Sequence, residues 1–339
     1  MTKVTFYRGL REIGGTVVAV ETEKAVCLFD FGFSVTERAD SKVSLREGHI
    51  PQDYVRAGML PPLDGIYDES CASELGLRPY SRGGKEYFFI ISHMHIDHMG
   101  GLDMLSPHIP VYMSSDSLRL YRRLAAQGEL TFREHRNCIG VGYGQCFSVG
   151  DISIKAVQID HDCIGACGYL IDTPEGSICY TGDYRFHGYH PEITEAFAET
   201  CRGADMLITE GVTVSSADVD MLACERPEVM RTERDLLSET EAIMRSSRGL
   251  VVINPYNRNV ERVHELIDKA ASCGRRLVLD AAQADYVKSF YLDDTVYVYA
   301  ETIHGRSLPG GAGIVDRSML LESPESYVLQ LDYGDQYEL

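Results

Sequence analysis

Three histidines and an aspartate fall within six consecutive residues, His93-Met94-His95-Ile96-Asp97-His98, directly behind the apolar run Tyr87-Phe88-Phe89-Ile90-Ile91. A short run of aromatic and β-branched side chains predicts a buried strand, which would hold the base of the following loop rigid. Gly100-Gly101 then frees the backbone to fold back. Neutral imidazole and carboxylate are donors that suit zinc, with manganese or iron as other occupants, and no thiolate lies in the cluster. Histidines also gather on polar surface loops. A strand end, an interposed acid and the trailing glycines point instead to half of a binuclear metal site.

One short loop cannot surround two ions, so further ligands must come from other strand ends. The alternating stretch Ile152-Ser153-Ile154-Lys155-Ala156-Val157-Gln158-Ile159 predicts a strand leading to His161, and Ile178-Cys179-Tyr180-Thr181-Gly182 leads to Asp183. Between them, Gly168-Tyr169-Leu170-Ile171-Asp172 and the turn Thr173-Pro174-Glu175-Gly176 predict a hairpin that brings both residues to one edge. Short strands up to Asp183, with helical interruptions such as residues 117–124, suit two packed sheets with helices outside. After Glu210 the texture changes. Residues 214–227 are polar and weakly patterned, which predicts a mobile linker or loop. A helix over 232–244 with Thr232 and acidic residues in its first turn, a strand over 250–253, a helix over 260–271 and a strand over 276–279 follow. That alternation predicts a small parallel sheet with crossover helices. Pro309-Gly310-Gly311-Ala312-Gly313 reads as a loop without a nucleotide-binding fingerprint.

The order of these residues resembles the metallo-β-lactamase superfamily. Asp30 in Leu28-Phe29-Asp30-Phe31-Gly32 matches its first motif, His93, His95, Asp97 and His98 the second, His161 the third and Asp183 the fourth. The resemblance implies that His93, His95 and His161 bind one divalent ion and Asp97 and His98 another, with Asp183 bridging. Three segments resemble the β-CASP nucleases, the branch that includes ribonuclease J. They are Thr181-Gly182-Asp183-Tyr184-Arg185-Phe186-His187-Gly188, Asp205-Met206-Leu207-Ile208-Thr209-Glu210-Gly211 and Leu250-Val251-Val252-Ile253-Asn254 with Asn257-Arg258-Asn259-Val260-Glu261-Arg262. Glu210 matches the acid of β-CASP motif A. The opening Arg8-Gly9-Leu10-Arg11-Glu12-Ile13-Gly14-Gly15-Thr16 is similar to the start of ribonuclease J-like hydrolases.

The resemblance therefore implies an α/β fold: a metallo-β-lactamase αββα sandwich over residues 1–212 and a partial β-CASP-like cap over 213–339. The branch's later motif B and motif C histidines find no match, since His304 in Ile303-His304-Gly305-Arg306 stands in neither context. The C-terminal return is thus expected to be missing from a chain that is a piece of a longer protein. The implied activity is hydrolysis of RNA phosphodiester bonds by a metal-bound hydroxide, using two divalent ions, zinc first and manganese second. Asp97 and Asp183 would be catalytic, and Asp30 and Glu210 supporting. Asn259 and Arg262 are candidate phosphate contacts, although an asparagine near a helix start is commonly a cap. With two histidines unmatched, weak or absent nuclease activity is expected. A small-molecule hydrolase of thioesters, lactones or phosphodiesters and a nucleic-acid-binding scaffold with an incomplete metal site are the alternatives.

Composition bounds the remaining expectations. A length of 339 residues suits about two domains, and no apolar stretch approaches the ~18 residues that suggest a membrane span. The N-terminus has no apolar signal region, so cytoplasm is the default location, and homo-oligomerisation is left open. Ten scattered cysteines are expected to be reduced, Cys163 and Cys167 being buried structural thiols rather than ligands. A net charge of −19 argues against nonspecific nucleic-acid binding, because phosphate affinity draws on Lys and Arg. Arg245, Arg248, Arg258, Arg262, Arg275 and Arg276 do fall within one stretch, either as a basic patch or as an ordinary solvated face. His187 and His190, near Asp183, are expected at the surface or behind the ligands.

Overall fold

Period-two burial on two sheets organises the first part of the chain. The computed structural model describes residues 1–10, 12–34, 45–81, 84–212 and 231–332. β1 (Lys3–Arg8), β2 (Val17–Glu21), β3 (Ala25–Phe29), β4 (Glu86–Ile91), β5 (Val111–Ser114) and β6 (Cys138–Val141) form one sheet in that order. It is antiparallel through β3 and parallel from β3 to β6. β7 (Cys146–Val149), β8 (Ile152–Gln158), β9 (Cys167–Thr173), β10 (Gly176–Tyr180) and β11 (Met206–Ile208) form the second, with β10 and β11 parallel. The expected hairpin is β9–β10, closed at Thr173 and Gly176.

Val18, Val20, Cys27, Phe29, Phe88 and Ile90 of the first sheet share one core with Ile152, Ile154, Ala156, Tyr169 and Ile171 of the second. Their neighbours Val17, Ala19, Val26, Leu28, Phe89 and Ile91 face the other way, into a second core. A strand buried on both faces must read as a continuous apolar run, which is why β4 does. α1 (Ile50–Arg56), α2 (Glu69–Leu75), the single turn α3 (Ile96–Met99) and α4 (Ser115–Ala126) follow along the first sheet. Buried residues of α1, α2 and α4, such as Val55, Ala72 and Leu120, join its outer core. α5 (Pro191–Thr200) covers the far face of the second sheet through Phe197, which packs with Ile159, Ala166 and Cys179. The result is the αββα sandwich.

Later in the chain come α6 (Glu233–Ser246), β12 (Val251–Ile253), α7 (Val260–Ser272), β13 (Arg276–Leu279), α8 (Ala281–Phe290), β14 (Tyr297–Tyr299), β15 (Gly313–Val315), α9 (Arg317–Glu322) and β16 (Tyr327–Gln330). Their five strands pair only in parallel, in the order β12-β16-β13-β14-β15. α7 and α8 pack on one face, through Val263, Leu266 and Val287, while Leu320 of α9 packs on the other with Val278 and Leu329. α6 opens with a capping box between Thr232 and Asp235. The sheet docks on the sandwich where α8 meets α4: Arg119 lies over the Phe290 ring at 5.1 Å. The linker expected over 214–227 lies outside the described residues.

One expectation is corrected. Cys179 and Cys201 form a disulfide, because α5 lies across β10 and brings their Cα atoms to 5.8 Å, within bridging distance. Cys27, Cys71, Cys163 and Cys167 are buried free thiols, as expected. Among the described residues no helix is long and apolar enough to cross a membrane.

Asp103, just behind the histidine loop, is buried and accepts the Phe132 N–H at 2.6 Å. Burial pushes its carboxyl up to about 7 against the backbone hydrogen bonds it accepts. The folded chain thus keeps a proton that the unfolded chain releases near its ordinary value of about 4. Between those values stability falls as pH rises, by roughly 1.4 kcal/mol per unit from this group. Urea unfolding of Asp103→Asn at pH 5 and pH 8 is expected to show a smaller difference than the parent. An equal difference would place the pH dependence elsewhere.

Candidate metal centre

β4 ends at Ile91, and the chain then turns across the sandwich rim. His93 is fully buried, and His98 shows 4% of its side chain, while His95, Asp97, His161 and Asp183 keep between 14% and 19%. His161 follows β8 and Asp183 follows β10, so three separate strand ends deliver the donors. Two groups form. Ligand atoms of His93, His95 and His161 lie within 4.8 Å of one another, and so do those of His93, His98 and Asp183. Asp97 completes the second neighbourhood, its Oδ2 3.6 Å from Nε2 of His98, whose contact with Asp183 Oδ1 is 3.4 Å. His161 Nε2 and His95 Nδ1 stand 3.4 Å apart. His93, His95, His98, His161 and Asp183 thus lie together at this rim, with Asp97 beside His98.

The donor set fits divalent cations. Nε2 of His93 and Nε2 of His95 are buried with no hydrogen-bond partner. Orphaned polar atoms of this kind cost stability unless something satisfies them, and imidazole nitrogens with carboxylates are suitable donors for zinc or manganese. Burial, reinforced by the imidazoles of His98, His95 and His161, holds His93 well below the ordinary histidine range. Burial likewise pushes His161 down to about 4. Neutral imidazole is the form that ligates. Burial opposes charge on His98 as well, but Asp183 and Asp30 outweigh it and raise His98 well above its usual value. Asp183 is desolvated, yet His98 brings it down to about 2.

Asp30 fixes the frame from behind. It is fully buried, with φ of 56°, the only positive φ outside glycine among the described residues. That conformation aims its carboxylate at the Ser92 N–H at 2.8 Å, the Ser92 hydroxyl at 2.9 Å, His98 Nδ1 at 2.8 Å and the Tyr180 hydroxyl. Gly32 lies against the same loop so closely that a Cβ would sit 1.9 Å from the Asp97 carbonyl carbon. Gly182, at φ of 58°, similarly faces Ser92. Asp30→Ala strands several buried donors, each worth about 1–3 kcal/mol. It is expected to lower stability by roughly 3 kcal/mol and metal affinity by about 10- to 100-fold. Asp30→Asn tolerates the backbone better and should lose less of both, as read by denaturation and metal titration.

Other expected residues are distributed as follows. Glu210 accepts the Tyr184 N–H at 2.9 Å and borders the Asp183 cavity. Burial and the charge of Asp183 raise its carboxyl against that backbone hydrogen bond. Asn259 is corrected from phosphate contact to helix cap: it is 1% exposed, and its Oδ1 accepts the Arg262 N–H at 3.1 Å. Arg262 lines the cavity but pairs with Glu233 at 2.8 and 2.6 Å. Four other arginines of that stretch have separate partners. Arg245 pairs with Glu241, Arg275 holds the carbonyls of Ser247, Gly249 and Tyr327, Arg258 donates to the Met94 carbonyl, and Arg276 lies over Tyr297. His187 and His190 are exposed, His190 bonding Glu261 at 2.9 Å.

Sequence reasoning missed three groups. Asp162 stands beside His95 and His161, and Tyr256, from beyond β12, sets its ring 5.0 Å from that of His95. Arg185, Asp160 and Glu233 form a buried ion network beneath the groove. Only Asp162 carried a local signal, its place next to His161.

The family described as Beta-lactamase superfamily domain matches residues 86–240, which contain every donor of both groups. Residues 86–240 thus carry the β-lactamase superfamily domain. The chain is related to ribonuclease J. It is 26% identical to ribonuclease J of Pyrococcus abyssi over 284 residues, covering 82% of this chain and 58% of that protein. With ribonuclease J 2 of Streptococcus pyogenes serotype M3 it shares 22% over 286 residues, 82% of this chain and 45% of the other. The chain thus spans about half the length of the curated relatives it matches. A solved protein of unknown function from Enterococcus faecalis V583 superposes with a TM-score of 0.80 at 27% identity, over 99% of this chain and 78% of the other.

Proposed function

We propose that this member of a metal-dependent hydrolase family is a ribonuclease that cleaves RNA phosphodiester bonds. The observation that carries the reading is the position of the two donor groups at the edge of an open cavity of about 820 Å³. His161, Asp162 and Asp183 line one part of it, and Arg231, Thr232 and Arg262 another. An open trough between the sandwich and the residues after 230 suits an extended strand better than a closed pocket would. The relation to ribonuclease J supports the same substrate class.

His93, His95 and His161 would hold one ion and Asp97, His98 and Asp183 the other, with Asp183 shared between them and the described residues 231–332 acting as a cap. Such ions supply Lewis acidity at the phosphoryl group and acidify water. The chain's own residues do the positioning. Asp97 orients the attacking water, Asp30 fixes the His98 ring through Nδ1, and Tyr184, held by Glu210, keeps the Asp183 turn in place. Zinc is the first choice of metal and manganese the second.

A small-molecule hydrolase is the second reading, favoured by the net charge of −19 and by the local pairing of Arg245 and Arg262. Zinc- or manganese-loaded protein should release fragments from 5′-labelled RNA, slowly, and EDTA should stop it. Turnover of a thioester, lactone or small phosphodiester with intact RNA would establish the second reading. RNA binding without any turnover would overturn both.

A further inference from the structure

We propose that Ser92 is a positioning residue that fixes the tautomer of His93, placing the ring proton on Nδ1 and leaving Nε2 bare for an ion. The use of that bare nitrogen rests on reading the site as a metal centre, whereas the tautomer is a property of the metal-free chain. Neutral imidazole carries one proton, on either nitrogen, and only the bare nitrogen binds a metal. Ser92 and His93 are 1% and 0% exposed, so protein groups rather than solvent decide where the proton sits.

Counting protons decides it. A serine hydroxyl has one proton and two lone pairs, and a carboxylate only accepts. Ser92 Oγ stands 2.9 Å from Asp30 Oδ2 and 2.9 Å from His93 Nδ1. The contact with Asp30 is a hydrogen bond only if the hydroxyl donates, which uses its single proton. Toward His93 the oxygen then offers lone pairs alone, so Nδ1 must donate. The reverse arrangement faults twice. It would face two lone-pair oxygens at 2.9 Å, and it would put a proton on Nε2 of His93, a buried atom with no hydrogen-bond partner.

The surrounding groups leave no other source or destination for that proton. Asp30 also accepts from the Ser92 N–H, the Tyr180 hydroxyl and His98 Nδ1. His98 Nδ1 lies 2.8 Å from Asp30 but 3.4 Å from Ser92 Oγ, so its proton goes to Asp30. Ser92 itself is held at both ends of its backbone, its N–H donating to Asp30 at 2.8 Å and its carbonyl accepting the Cys167 N–H at 2.9 Å. Gly182 packs against its Cβ, where a further carbon would come within 2.5 Å. His93 belongs to both donor groups, so one hydroxyl bears on both ion positions. A proton on Nε2 would repel the cation that the bare nitrogen attracts.

Metal-free parent, Ser92→Ala and Ser92→Thr, labelled with ¹⁵N-histidine, are compared by imidazole NMR, the His93 signal being identified by its absence from His93→Gln. Parent and Ser92→Thr are expected to carry the proton on Nδ1, and Ser92→Ala to shift it wholly or partly to Nε2. Zn²⁺ titration against a chromophoric chelator should then show affinity about 10- to 100-fold weaker in Ser92→Ala and near parental in Ser92→Thr. Should the threonine methyl be rejected beside Gly182, the smaller alanine variant carries both measurements. A proton on Nε2 in the parent, or one kept on Nδ1 in Ser92→Ala, would overturn this inference alone, as would parental Zn²⁺ affinity in Ser92→Ala. A parent with the expected tautomer that binds no divalent ion would overturn the metal-centre reading, and with it the role of Ser92 toward an ion.

Discussion

His93→Ala is expected to abolish binding of the ion assigned to His93, His95 and His161 and to weaken the other, whereas His161→Ala removes only the first. The asymmetry follows from membership: His93 belongs to both donor groups, His161 to one. Supporting residues that merely orient a ligand already cost about 10- to 100-fold in affinity when removed, so loss of a direct donor should exceed ~100-fold. Equilibrium dialysis with elemental analysis reads the stoichiometry, and RNA turnover should fall to background in both variants. Equal loss in the two variants would mean that the groups act as one cluster without separate occupancy. His93 is fully buried, so its alanine variant also leaves a cavity, and circular dichroism of the metal-free protein must first establish that it folds.

Glu233→Ala should produce the largest loss of stability, about 3–5 kcal/mol. Glu233 is 3% exposed and takes Arg185 Nη1 at 2.5 Å and Arg262 Nε and Nη2 at 2.8 and 2.6 Å. Truncation leaves Arg262 without its counter-charge and Arg185 with Asp160 alone. Burial pushes the Glu233 carboxyl up, but Arg262 and Arg185 outweigh it and hold the group below its ordinary value. Its stabilisation is thus fully present above the usual glutamate range and is lost as pH falls through the lowered value. Denaturant unfolding at neutral pH measures the loss, and Glu233→Gln should fall between parent and alanine. A loss under about 1 kcal/mol would show that the arginines find other partners.

Much of this molecule was legible because its signals are local. β4 reads as a strand for the same reason that it is buried on both faces, and the donors follow strand ends that periodicity marks directly. α6, β12, α7 and β13 were likewise visible from residue spacing. β14 and β15 span only three residues each, too short for periodicity, and the insertion of β16 between β12 and β13 is a tertiary fact. Asp162 was hidden because one acid beside a histidine is ordinary, and only folding sets it between two rings. The Cys179–Cys201 bridge depended on where α5 docks. Asn259 was misplaced for a different reason: capping and phosphate contact use the same residue type, and only burial separates them.

The segment between β12 and α7 reaches across to the histidine loop, Arg258 donating to the Met94 carbonyl and Tyr256 setting its ring against His95. Met94 lies between two donors, so the late sheet grips the peptide that spaces His93 from His95. On the proposed metal reading, an ion held by His93 and His95 would be coupled to the seating of the late sheet, each favouring the other by the same factor.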